Sequence, residues 1–339
     1  MQKLPSLTWL VLFGLIALFL AQRPGGRLQG ADDAAPPKAP FEDQNGAEAP
    51  ADSAAASPEA ERAMELLRMS RDSLFGHQSV RANLREFVAL GERRFEAEGS
   101  YIAGPYKPLA PLRLEYKVRV GNTVGTLLEV CDGQILHTQR TLERLDRQPA
   151  AAADQSAADV TVTRRDIRKI LEALSQHGAT PETILQAELG IGGLPALLTS
   201  IERAMVFRSV REEPVAGRRC HLLEGTWKPE FVEELRQHFE FLGRSVQAYL
   251  PELVRIHLDA ETLFPMRISY WPSAGEDGAS KLPLLALEFT DVRLNEPVSP
   301  LLFDFVASGV DEADITEQFI EAIKGAAAAR AAEPAGNTP

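Results

Sequence analysis

The stretch LVRIHLDAETLFPMRISYW, residues 253–271, decides how the chain folds, together with LLALEFTDVRLNEPVSPLLFDF, residues 284–305, which follows a polar gap. Val254, Ile256 and Leu258 alternate with Arg255, His257 and Asp259. Met266, Ile268 and Tyr270 alternate with Arg267 and Ser269, and Leu285, Leu287 and Phe289 with Ala286, Glu288 and Thr290. A period of two marks strands with one face packed and the other wet. The spacing predicts three or four antiparallel strands, and nothing in them has the look of a catalytic centre.

Outward from this stretch, the same pattern recurs at Leu112, Leu114, Tyr116, Val118 and Val120, then Leu128 and Val130. Gly121-Asn122 and Asp132-Gly133 read as turns, the second as a type I′ hairpin with a return strand over Gln134–Arg140. Strands are also expected at Met205–Glu212 and Arg218–Trp227, joined through Pro214-Val215-Ala216-Gly217. Helices are expected from Ser57-Pro58, over Val80–Glu98 with Gly99 as its stop, over Arg164–Gln176, over Pro181–Ile201 with a break near Pro195, and over Pro229–Phe241. Residues 148–159 read as a surface loop. The order helix, strands, helices, strands, helix, strands defines an α+β chain with a large antiparallel sheet and helices on one face.

The ends differ from this body. Residues 7–21, LTWLVLFGLIALFLA, are uncharged and mostly apolar, the length of a signal-peptide core and short of the roughly 20 residues of a full span. Phe19 would occupy the −3 position of a cleavage after Ala21, so residues 1–21 read equally as a signal peptide or an uncleaved N-terminal membrane anchor, a transmembrane helix. Residues 22–57 form an acidic Ala/Pro-rich linker, 58–324 the folded domain and 325–339 a tail, both flanks too poor in apolar surface to fold. Such a body is expected to be exported, as a periplasmic protein or one anchored in the inner membrane and facing the periplasm.

The formal net charge of −12 argues against nucleic acid as a partner. Two cysteines, Cys131 and Cys220, are too few for a disulfide scaffold or structural zinc site; they read either as one bridge or as two buried thiols. Gly190, Gly192 and Gly193 lack the glycine at 195 that a dinucleotide loop needs, since Pro195 stands there. The six histidines never take ligand spacing, and Gly243-Arg244-Ser245-Val246-Gln247 lacks the closing glycine of a nucleophile elbow. The chain reads as non-enzymatic, with no cofactor and no metal. What remains is the apolar face: Tyr116, Met266, Tyr270, Leu287, Phe289 and Phe303, continued by Leu114, Val118, Ile256, Ile268 and Leu285. Helices covering it fully would make an ordinary core; covering it in part, they would leave a cavity for an apolar ligand.

The segments IHLDAETLFPMRISYW, LEFTDVRLNEPVSPLLFDF and SGVDEADITEQFI resemble the closing strands of the LolA/LolB/RseB-like superfamily, outer-membrane lipoprotein carriers and their relatives. The carrying features are the acidic-to-proline loop from Asp259 to Pro265, Leu294-Asn295 before Phe303-Asp304-Phe305, and Asp314-Ile315-Thr316. The hairpin EVCDGQILHTQRTL is similar to the group's Asp-Gly hairpin, with His137 where a Trp often stands; GIGGLPALL and VAGRRCHLLEGTW look like planctomycete-type members. The resemblance implies an unclosed antiparallel β half-barrel with helices covering the concave face and a lipid-sized cavity between, lined by the apolar residues named above. It implies a binding protein for the acyl chains of a lipid or lipoprotein, with an RseB-like sensor or protein-interaction module, partnered by an envelope protein, as the alternative. Lipoprotein shuttling requires free diffusion, which an anchor at residues 7–21 would prevent.

Overall fold

A computed structural model describes residues 57–90, 93–106, 109–145, 158–175, 192–233, 251–272, 282–307, 309–321 and 324. The leader, the linker, the tail, the loop at 148–157 and the segments expected to be helical at 181–191 and 234–241 lie outside the described residues. Among the described residues twelve strands form one sheet: β1 (Val80–Leu90), β2 (Arg93–Ala103), β3 (Leu112–Val120), β4 (Thr123–Cys131), β5 (Ile135–Arg144), β6 (Ala158–Asp166), β7 (Met205–Val215), β8 (Arg218–Trp227), β9 (Leu253–Asp259), β10 (Pro265–Trp271), β11 (Leu285–Leu294) and β12 (Glu312–Asp314). Their order in space is β12-β6-β5-β4-β3-β2-β1-β11-β10-β9-β8-β7. Two meanders, β1 to β6 and β7 to β11, are thus joined where β11 pairs antiparallel with β1. The short β12 alone runs parallel, along β6. The sheet ends at β7 and β12 and does not close, so the α+β class with an unclosed antiparallel sheet stands.

Three α-helices lie wholly within the described residues, α1 (Pro58–Gly76), α2 (Ile167–Ser175) and α3 (Gly193–Ala204), and the described residues 229–233 and 316–321 are helical as well. The start of α1 follows its sequence signal. Ser57 caps it by accepting from the Ala60 amide at 3.1 Å, Pro58 occupies the first turn, and Glu59 and Glu61 face its positive end. Its buried positions, Ala63, Leu66, Leu67, Ser70 and Leu74, recur at helical spacing. Helix α3 packs beside α1, where Glu202 accepts from Arg68 at 2.7 Å and also pairs with Arg71. Both helices contribute to the main core against one face of the sheet. A smaller core lies where α2 and Ile320 cover Cys131 and Leu136.

The expected helix over Val80–Glu98 is corrected: this segment is the β1/β2 hairpin, paired from Val80↔Ala103 to Leu90↔Arg93. Burial on both faces explains the misreading. Leu84 and Val88 lie in the main core, while Phe87 is buried on the reverse face, so adjacent apolar residues imitate a helical period. Gly99 therefore stops nothing; it sits inside β2 opposite Tyr116. The end of the expected loop, 158–159, and the first residues of the helix expected over Arg164–Gln176 belong instead to β6, in which Val162 is buried; that helix is present from Ile167, as α2.

Turn chemistry follows local geometry. At Ala216-Gly217 both central residues have positive φ (49° and 79°), which makes that hairpin turn type I′. At Asp132-Gly133 only Gly133 does (97°), so the type I′ expectation is corrected: Asp132 instead accepts through Oδ1 from the amides of Gln134 and Ile135 at 2.7 and 2.8 Å.

The transmembrane helix expected of residues 7–21 is also corrected. No helix among the described residues is long and apolar enough to cross a membrane. Residues 7–21 themselves lie outside the described residues, and the membrane-spanning reading is dropped. Cys131 and Cys220 are both free and buried, on β4 and β8, with six strands of the sheet between them; the bridge gives way to two buried thiols. Burial pushes the Cys131 thiol up to about 11, which keeps it protonated and inert.

Candidate functional site

Strand register gathers the apolar candidates on the face that bears α1 and α3. One row runs across seven strands: Leu223, Ile256, Ile268, Leu287, Glu86, Ala97 and Val118 are successive cross-strand partners. A second row passes from Phe289 through Leu84 and Gly99 to Tyr116. Tyr270 and Leu285 pair in a third. Phe289 is the hub, meeting Phe264 edge-on at 5.5 Å and Tyr101 edge-on at 6.3 Å between ring centroids. Tyr116, Val118, Ile256, Met266, Ile268, Tyr270, Leu285, Leu287 and Phe289 all lie in this one core, each at most 8% exposed, and half-buried Leu114 packs at its margin.

Phe303 is placed elsewhere. It ends a 3₁₀ turn, Pro300–Phe303, that lies over the reverse face of β3, where Arg113 donates to the Leu302 carbonyl at 3.3 Å. Arg113 alternates with the core-facing Leu112 and Leu114, so Phe303 cannot share their side. The segment continues along that face: Phe305 stacks on His137 at 4.7 Å, and His137 Nδ1 lies 2.6 Å from Glu312. Strand β12 then adds to β6. Asp314 accepts from the Thr316 amide at 3.0 Å and from Arg164 at 3.1 Å, and the Thr316 contacts hold its carboxyl down at about 2. The stretch 300–314 is thus a strap over the reverse face, with Leu301 (76% exposed), Val306 (82%) and Val310 standing in solvent.

The expectation of a wet reverse face holds only in part. Across β7 to β11 it carries partly buried ion pairs, Arg211 with Glu224 at 2.6 Å and Arg267 with Glu288 at 3.0 Å, and a hydrogen bond between buried His257 Nε2 and Glu213 at 3.1 Å. The Arg255 guanidinium lies over the Trp271 ring at 4.8 Å. Asp259 closes the acidic-to-proline loop, accepting from the Glu261 and Thr262 amides and the Thr262 hydroxyl, with Arg218 at 3.1 Å. Burial alone would raise its carboxyl, but the Thr262 donors and Arg218 hold it below the ordinary range. Asn295, at φ 62°, accepts from the Gln78 amide at 2.8 Å. The motif residues of the C-terminal third are therefore turn and strap builders.

Sequence reasoning passed over Glu86. It is 1% exposed, on the α1/α3 side of β1, between Leu84 and Val88 and opposite Leu287 and Ala97. Its Oε2 has no hydrogen-bond partner. Burial pushes its carboxyl up to about 8, leaving it neutral at physiological pH. The alternation Val80, Ala82, Leu84, Glu86, Val88 carries the signal, an acid on an apolar stripe; placing the segment in a helix hides it. Because the folded value lies above the ordinary one, the folded state binds more protons than the unfolded one between about pH 4.5 and 8. Stability from this group is therefore full below that window and falls as pH rises through it, by up to about 1.4 kcal/mol per unit. Glu86→Gln is expected to flatten the pH dependence of Tm across this window; an unchanged slope would show that another group governs it.

Among the described residues, no group of three or more His, Cys, Asp and Glu side chains could hold a metal ion. What the fold offers is a broad apolar face under helices and a strap with exposed apolar tips. An unclosed antiparallel sheet with helices on one face is what the resemblance to the LolA/LolB/RseB group implied. No protein-family model and no curated protein matches the chain. Among solved structures, it is similar to the MucA/MucB complex of Pseudomonas aeruginosa at 14% identity, over 71% of this chain and 60% of that one, with a TM-score of 0.34. That match spans less than two thirds of the other chain's length. The chain is also similar to lipoprotein LppX of Mycobacterium tuberculosis (13% identity, 70% and 98% covered, TM-score 0.29) and to LprF of Mycobacterium bovis (13%, 71% and 96%, 0.29). At such scores these are likenesses of fold, and nothing about ligand or partner is taken from them.

Proposed function

We propose that this is a non-catalytic binding module of the cell envelope that works as a sensor, docking a protein partner on its outer surface. One observation carries the reading: the apolar face is shut beneath the protein's own helices, while apolar side chains stand in solvent on the strap. A carrier that loads acyl chains needs its apolar face vacated. Here, Leu66, Leu67 and Leu74 of α1 and Leu194, Leu197, Leu198 and Ile201 of α3 belong to the same core as Ile256, Ile268 and Leu287. Leu301 and Val306 offer a partner what the covered face cannot, apolar surface that costs nothing to expose. The acyl-chain reading stands second, supported by the breadth of the apolar face.

A photo-crosslinking residue placed at Val306 in cells is expected to capture one discrete envelope protein. The Leu301→Glu change should weaken that capture about tenfold or more, as loss of a buried apolar anchor does. Diffuse labelling of many proteins, or capture indifferent to Leu301→Glu, would contradict docking through the strap.

A further inference from the structure

The strap has a second property besides its apolar tips. From Leu294 to Ile323 the sequence contains no lysine, arginine or histidine, against seven aspartates and glutamates. The structure divides those acids by the side they face. Glu312 meets His137 at 2.6 Å and Asp314 meets Arg164 at 2.9 Å, so the acids of β12 are matched by groups on β5 and β6. Arg113, under the start of the strap, is taken up by Glu115 at 2.6 Å. Asp304 and Asp311 differ. Both are exposed, and among the described residues no cation lies in ion-pair range of either carboxylate. Asp304 is extended (φ −84°, ψ 123°) between buried Phe303 and half-buried Phe305, so it points outward with Val306. Asp311 follows exposed Val310 directly. The outer side of the strap therefore interleaves apolar and anionic side chains.

We propose that this outer side receives a basic amphipathic segment of the partner protein, in which lysine or arginine alternates with apolar residues. The inference rests on the strap-docking reading and names the chemistry of its partner. Apolar tips alone would suit a membrane, a second copy of the chain or a segment of another protein. Charge chooses among them. Anionic lipid headgroups repel an anionic rim. A second copy carries a formal charge of −12 and is repelled as well. A basic segment fits both features: its apolar residues bury against Leu301 and Val306, and its cations meet Asp304 and Asp311. These carboxylates sit at a solvated rim, so pairing costs them little desolvation. Rim charges of this kind govern encounter rate and partner choice, over about 8 Å at physiological salt.

Fluorescence anisotropy on the purified full chain tests it, with a short labelled peptide of alternating lysine and leucine as the probe and its glutamate–leucine counterpart as the match. The lysine peptide is expected to bind and to crosslink from Val306, and the glutamate peptide to do neither. Asp304→Lys combined with Asp311→Lys should weaken the lysine peptide about tenfold or more, as should raising salt from about 0.05 to about 0.5 M. Glu65→Lys combined with Glu212→Lys makes the same change in net charge at exposed sites on α1 and on β7, the far edge of the sheet, and should alter binding less than about twofold. Should the Asp304→Lys, Asp311→Lys chain melt early, Asp304→Asn with Asp311→Asn takes its place, with an expected loss of about threefold. Equal binding of the two peptides, no binding of the lysine peptide, an equal loss in the Glu65→Lys, Glu212→Lys control, or attachment of the strap to phosphatidylglycerol vesicles would each overturn the proposal. Capture in cells that weakens with Leu301→Glu but ignores Asp304→Lys with Asp311→Lys would leave strap docking standing and remove its basic partner. Capture that ignores Leu301→Glu would remove both.

Discussion

Replacing Gly99 by alanine is expected to destabilise the domain by more than about 4 kcal/mol, enough to prevent a cooperative fold. A glycine inside a strand ordinarily weakens it, so alanine at such a place should help by up to about 1 kcal/mol. At Gly99 the sign reverses, because a Cβ would lie 1.8 Å from the Glu115 carbonyl oxygen and 2.9 Å from its carbon. Both atoms are backbone, and neither can swing aside as a side chain can. To admit the methyl group, β2 would have to leave β3, breaking the ladder that runs from Ala97↔Val118 to Ala103↔Leu112. Gly76, at the end of α1, is the control: nothing lies within 4 Å of a Cβ there, and Gly76→Ala should be neutral or slightly stabilising. Urea titrations of the two variants decide it. A Gly99→Ala protein as stable as wild type would mean that the β2–β3 approach is looser than described.

Phe289→Ala is expected to cost about 3–5 kcal/mol, the range for emptying an aromatic site in a packed core. Phe289 is 1% exposed and touches rings from two directions, Tyr101 on β2 and Phe264 in the β9–β10 turn. Its loss opens a hole where β11 and β1 join the two meanders, a site held by strands on both sides and unable to collapse. A cost below about 1 kcal/mol, measured by denaturant unfolding, would mean that the face is already hollow at this point and would favour an open cavity.

The stretch that decides the fold was legible because β9, β10 and β11 keep strict alternation through Ile256, Ile268 and Leu287. The β1/β2 hairpin was not, since Phe87 is buried on the face opposite Leu84 and Val88, and two buried faces erase the period of two. The same misreading hid Glu86: a helix would turn that carboxylate to solvent, and only the strand sets it among Leu84, Val88 and Leu287. Phe303 was misplaced for a different reason. Its Leu-Leu-Phe context is that of a strand, but Pro300 begins a 3₁₀ turn that carries it to the reverse face. Residues Asp259, Asn295 and Asp314, on which the resemblance rests, are turn and strap residues held by hydrogen bonds to nearby backbone amides. They carry no information about a ligand, and so the fold could be read further than the site.

Native mass spectrometry of the protein after gentle extraction tests the central claim, that the helix-covered face is closed to acyl chains and the outer surface holds a protein. The expected result is the chain in complex with one partner protein, without phospholipid or lipoprotein acyl chains. A chain that emerges alone, loaded with acyl species in near-stoichiometric amount, would contradict it.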